Sequence, residues 1–208
     1  MTFDGFTTEA RDFFTELASN NNREFFTAHR DVYDRAIRQP IETLLGEAQV
    51  MYGPGRVMRP NRDVRFGKDK SPYRIGASMW AGDIGGVYLN LSPDGIEVGG
   101  GLYGPTRDQL QRARQAIDTK PQAGNELATI VRDLETDGFK LAGPSLTTSP
   151  KGYDREHVHI ELLRLRHYAG TKHLPIHASA SAVHDAWTQV EPLIGWANKH
   201  IGAALSWP

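Results

Sequence analysis

Between Arg59 and Arg74 the chain reads RPNRDVRFGKDKSPYR, where six cationic side chains meet two carboxylates, although the 208-residue protein carries a net charge of -1. Neighbouring guanidinium and ammonium groups repel one another. Such a segment calls either for carboxylate partners from its own fold or for an anion from outside. Arg62 and Arg65 have the fork geometry that grips phosphate or carboxylate through two bonds, while Lys68 and Lys70 add point charges in a turn between Gly67 and Pro72. Tyr73 adds a hydroxyl. In an extended backbone Arg62, Val64 and Phe66 share one face and Asp63 and Arg65 the other, so Arg65 meets Asp63 at i, i+2 spacing. The implied chemistry is capture of a small phosphorylated or carboxylated molecule. Asp63 and Asp69 are the candidate general bases, and the same cations that keep a carboxylate ionised lower its basicity.

Three further patterns bear on this site. VGGGLYGP, residues 98–105, contains G-x-G-x-x-G in Gly99, Gly101 and Gly104, but Pro105 and Thr106 restart the chain after the third glycine instead of enclosing it in a helix. A dinucleotide fold is therefore rejected. Gly99, Gly100 and Gly101 mark either a bulge or a backbone that something approaches closely, and with the helix opening at Thr106 they form a candidate second wall for the anion. Lys151 and Tyr153 sit in a Pro-Gly turn as turn residues or as anion donors. His157 and His159, with Asp154, Glu156 and Glu161, are the only cluster resembling a metal site; the two imidazoles share a face on a strand and diverge on a helix. They are weak candidates and no metal is expected, since no zinc spacing is present. No G-x-S-x-G elbow, Walker A loop or kinase signature occurs, so neither cofactor nor reaction is specified.

The elements that must carry these residues begin with helices. Ala10, Phe13, Phe14 and Leu17 recur at helical spacing after Thr7, predicting a helix over 7–19. Asn21 followed by Glu24 predicts a capping box opening a second, long helix, which keeps one face through Pro40 with a kink or restart and stops by Gly53-Pro54-Gly55. Val87, Leu89 and Leu91 alternate, Ser92-Pro93-Asp94-Gly95 turns, and Ile96 and Val98 resume, which predicts a hairpin. Residues 75–82 and part of 57–66 are expected beside it. Thr106 with Gln109 caps one helix, Leu127 to Leu134 mark another, residues 154–166 favour helix over strand, and a last helix covers 178–205. Helices, then a meander, then helices predict an α+β fold, with an antiparallel sheet of about three to five strands packed against several helices in a single domain, residues 1–208.

Composition narrows the classes further. There is no cysteine, so disulfides and thiolate chemistry are absent. The N-terminus has no basic, apolar leader and no run approaches about 18 apolar residues, so a soluble, cytoplasmic protein with no membrane role is expected. Near-neutral charge makes nucleic acid an unlikely partner.

FDGF at the start, NNNREFF at 20–26, RDVRFGKDKSPYR at 62–74, VGGGLYGP at 98–105 and PKGYDREH at 150–157 occur in that order. Over residues 3–167 the chain resembles the bacterial and fungal family known as domain of unknown function 2461. The resemblance implies a soluble single-domain protein and brings no substrate, cofactor or reaction. Two positions depart from the family's pattern: Phe25, where tryptophan is usual, and His29, where asparagine is common. Two functions follow: a small-anion site on the basic segment and the glycine loop, or a non-catalytic interaction module whose cations are paired internally and whose partner surface is Trp80, Tyr88 and Tyr103.

Overall fold

The computed structural model describes residues 3–65 and 69–205. The chain runs through α1 (Thr8–Ser19), α2 (Arg23–Ala28), α3 (Arg30–Tyr33), a π-helical turn (Asp34–Arg38) and α4 (Gln39–Tyr52). There follow β1 (Gly55–Val57), β2 (Ala77–Gly82), β3 (Gly86–Ser92), β4 (Gly95–Leu102), α5 (Arg107–Thr119) and α6 (Pro121–Thr136). The last elements are β5 (Lys140–Leu141), α7 (Ile160–Leu163), β6 (Tyr168–Leu174) and α8 (Ala180–His200). The fold is α+β, with a six-stranded antiparallel sheet in the order β1-β2-β3-β4-β6-β5. No helix among the described residues is long and apolar enough to cross a membrane.

The sheet exceeds the expected three to five strands because its extra members leave little trace in the sequence. β5 is two residues long. β6 reads YAGTKHL, buried at three consecutive positions and then partly open, so it never shows the period of two by which strands are read. The helix expected over 154–166 shrinks to Ile160–Leu163, because the preceding residues close turns, with Tyr153 N–H donating to Pro150 O and the Glu156 N–H to the Asp154 carboxylate.

The long second helix is likewise divided. His29 leaves helical geometry at φ -110°, ψ 21°, and the π turn then runs up to Pro40 in the first turn of α4. Proline has no N–H to give the carbonyl one turn back, and a local shift to i→i+5 bonding absorbs that loss. The N-cap of α2 is Asn22, whose side chain accepts from Phe25 N–H at 2.9 Å. Asn21, expected there, is spent elsewhere.

Contacts divide the chain into two compact units: residues 1–82, 88–98 and 173–185, and residues 83–87, 99–172 and 186–208. In the first, Ala10, Phe13, Phe14 and Leu17 bury the predicted face of α1, and Phe13 meets the rings of Phe14, Phe26 and Tyr33 at 5.4–5.9 Å. In the second, Trp187, Trp196, Tyr168, Val190 and Leu193 are almost wholly buried. Each such side chain contributes about 1.5–3 kcal/mol by burial.

Candidate functional site

The basic segment forms a closed loop in the first unit. Arg74 N–H donates to Pro60 O and Arg62 N–H to Pro72 O, both at 2.8 Å, around an antiparallel bridge between Asn61 and Tyr73. Asn21 locks this neck: its side-chain amide donates to Tyr73 O and accepts from Tyr73 N–H, both at 3.0 Å. One asparagine thus imitates a neighbouring strand. The Tyr73 ring stacks on Phe26 with centroids 4.1 Å apart and planes 9° apart, and the residue is 8% exposed. Tyr73 is therefore the buried anchor of the loop.

Above the neck the cations find partners within the loop. Arg62 pairs with Asp69. Arg65 grips Asp63 in a fork, Nε to Oδ1 at 3.0 Å and Nη2 to Oδ2 at 2.7 Å, and its backbone N–H adds a third bond to Oδ1. Lys70 Nζ donates to Val64 O at 2.9 Å. Arg59 and Arg74 are exposed and make no side-chain hydrogen bond or ion pair among the described residues. Phe66, Gly67 and Lys68 lie outside those residues. The Arg65 hydrogen bonds hold the Asp63 carboxyl below its ordinary range; Ser71, through its hydroxyl and N–H, does the same for Asp69, with the charge of Arg62 adding to it. Both candidate bases are thereby kept ionised and weakly basic.

The remaining expected residues belong to the second unit. Gly99, Gly100 and Gly101 lie buried in β4, and a Cβ on Gly99 would stand 2.0 Å from Gly170 O. On Gly100 it would stand 2.6 Å from Gly86 O, and on Gly101 2.3 Å from Tyr168 O, where φ is 119°. The close approach that the glycines permit is thus made by neighbouring strands. The start of α5 is filled by its own side chains: Thr106 Oγ1 accepts from Gln109 N–H, and Gln109 Oε1 accepts from Thr106 N–H at 3.1 Å. Lys151 is exposed in its turn.

His157 and His159 turn to different partners. His157 Nδ1 accepts from His159 N–H at 3.0 Å and its Nε2 lies 3.7 Å from Asp118 Oδ1, whereas His159 Nε2 meets Asn125 Oδ1 at 3.0 Å. Among the described residues no group of three or more His, Cys, Asp or Glu side chains is placed to hold a metal ion. Of the expected partner surface, Trp80 and Tyr88 are half-buried, and Tyr103 is 70% exposed with its ring stacked on His167.

Phe25 and His29 are also in contact, stacked at 4.1 Å with a hydrogen bond from the His29 ring to Phe25 O. The residue that sequence reasoning missed is Asn21. Its signal was the redundancy of three adjacent asparagines where one cap needs only one.

A family model described as "Conserved hypothetical protein (DUF2461)" matches residues 9–196. No curated protein and no solved structure matches the chain.

Proposed function

The chain belongs to the DUF2461 family, and on that premise we propose that its loop 59–74 receives the phosphate or carboxylate group of a small anionic ligand. The observation that supports this is the charge excess of the loop: six cations against two carboxylates leave four positive charges. Arg59 and Arg74 flank the neck on the open surface without a side-chain hydrogen bond or ion pair among the described residues, although the charge of Arg59 also acts on Asp63. The pairs of Arg62 and Arg65 hold the forks in place at little cost to exchange, because exposed ion pairs contribute about 0–1 kcal/mol. An arriving oxyanion replaces the aspartates on the same nitrogens. Asp63 and Asp69 suit this positioning role better than proton abstraction. Gly99, Gly100, Gly101 and Lys151 take no part in this reading.

A second reading draws on the internal pairing itself. Asp63 and Asp69 occupy Arg65 and Arg62, as an interaction module with a self-braced loop requires. Calorimetric titration with inorganic phosphate and a nucleoside monophosphate at low salt separates the two. For a ligand site, the double variant Arg62→Gln, Arg65→Gln loses about tenfold or more in affinity, since charge-assisted bonds are worth about 1.5–3 kcal/mol, and melts within a degree or two of wild type. Absent binding in wild type, together with a melting temperature several degrees lower in Arg65→Glu, establishes the bracing role instead.

A further inference from the structure

We infer that an open groove in the second unit, between α6 and the C-terminal half of α8, is a site for a monoanionic amphiphile: a single-chain carboxylate whose head meets Lys199 and Asn125 and whose chain lies over Gly195. The hollow measures about 670 Å³, within the range of about 300–1,000 Å³ that small-molecule sites occupy. Its two walls run antiparallel, with Glu126 meeting Lys199 toward one end and Asp137 meeting Gln189 toward the other. Trp196 ties them together by donating Nε1–H to Ala123 O at 3.0 Å.

The groove is polarised along its length. Asn125, Glu126 and Lys199 line one end, Ile130 and Pro192 the other, and Gly195 lies between them. The polar end is rich in donors. Lys199 Nζ and His200 Nε2 both reach the same oxygen, Glu126 Oε2, at 3.1 and 3.4 Å, so that carboxylate keeps a neighbour when Lys199 turns into the groove. The turn costs little, because the Lys199 pair is exposed and such pairs add little to stability. Asn125 Oδ1 is taken by His159 Nε2 at 3.0 Å, which leaves the amide N–H groups of Asn125 without a partner among the described residues. An ammonium and a free amide N–H pair, beside a carboxylate already served twice, select an anionic head group.

The other end selects the body of the ligand. Pro192 has no N–H to offer and Ile130 is half-buried, so an apolar chain is matched there and a polar one is not. Gly195 leaves the room: a Cβ on it would meet nothing within 4 Å. From Lys199 to Pro192 the wall extends about 10 Å, at about 1.5 Å per residue, enough for an alkyl chain of medium length. One ammonium is available to the head, since His200 stays with Glu126, and a single negative charge answers it.

Amide NMR of the full chain during titration with sodium octanoate, beside sodium acetate and octylammonium chloride at equal ionic strength, tests the site. Octanoate is expected to give saturable shifts at residues 125–130 and 192–199. Acetate, which lacks the chain, binds there at least tenfold more weakly, and octylammonium, which carries the opposite charge, does not saturate. Lys199→Gln, a surface change, lowers octanoate affinity about tenfold. Gly195→Leu fills the groove and abolishes binding, yet melts no lower than wild type, because the position is open and leucine is the better helix former. The double variant Arg62→Gln, Arg65→Gln leaves these shifts unchanged, so failure here and failure of the loop site are told apart. The inference is overturned if octanoate does not saturate at these residues or if octylammonium binds them as tightly. It is also overturned if Lys199→Gln or Gly195→Leu binds octanoate as wild type does.

Discussion

At the scale of single residues, His167 shows how one ring can hold several constraints together. Its Nδ1 accepts the Gly104 N–H at 2.9 Å while its face stacks on Tyr103 with planes 7° apart. Accepting that bond requires the neutral ring. Burial lowers the His167 pKa and the Arg166 charge lowers it further. The folded state thus binds this proton less readily than the unfolded chain, so the stability from His167 is complete above the ordinary histidine value near 6.5 and is lost as the pH falls below it. Wild type is expected to lose melting temperature between pH 7.5 and 5.5, and His167→Gln to lose less, as followed by circular dichroism. Nothing in the sequence marks His167 among eight histidines, because its constraint comes from residues more than sixty positions away. The pair of Arg65 with Asp63 was legible from its i, i+2 spacing, whereas Arg62 was expected to lack a local partner and is paired with Asp69, seven residues on and outside any regular element. Tyr73 was legible as a member of the segment but not as its anchor, because Phe26 and Asn21 reach it from a distant helix joint.

Elements were read well where their signal is local. The capping box at Thr106 and Gln109 and the hairpin of β3 and β4 are fixed by residues within one turn, and both form where the pattern puts them. β6 was missed because its partners, not its own alternation, make it a strand. The glycines of β4 record the same fact from the other side: they are required by strands the sequence does not announce. Gly99→Ala would drive a methyl to 2.0 Å from Gly170 O, a backbone atom that cannot rotate away. A loss of roughly 3 kcal/mol or more is expected, of the kind seen for severe overpacking, which lowers melting by about 6–12 °C in a chain of this size. Gly46→Ala is the counter-test. In α4 nothing lies within 4 Å of the added methyl, so relief of helical glycine entropy should raise stability by about 0.5–1 kcal/mol. Chemical denaturation of both variants measures the two signs.

At the scale of the whole molecule, the charged motifs end near residue 167, yet the family match continues to residue 196. What lies beyond is rich in buried apolar side chains. α8 carries Val183, Trp187, Val190, Leu193 and Trp196, none of them more than 1% exposed. At about 1.5–3 kcal/mol each, these five side chains contribute roughly 8–15 kcal/mol, as much as the entire stability of an ordinary domain, about 5–15 kcal/mol. The stretch with no chemical motif is therefore the one the fold can least lose. A chain ending at Ser179 is expected to show no cooperative thermal transition and to bind a hydrophobic dye. Among the described residues, the hydrogen bonds that one ending at Gly202 forfeits are those of Ala203 O to Arg112 and of Leu205 N–H to Asp108. With each such bond worth about 0.5–3 kcal/mol, it should unfold cooperatively at a modestly lower temperature. If the Ser179 chain instead melts cooperatively near the wild-type temperature, α8 is dispensable and the share of stability assigned to it is wrong.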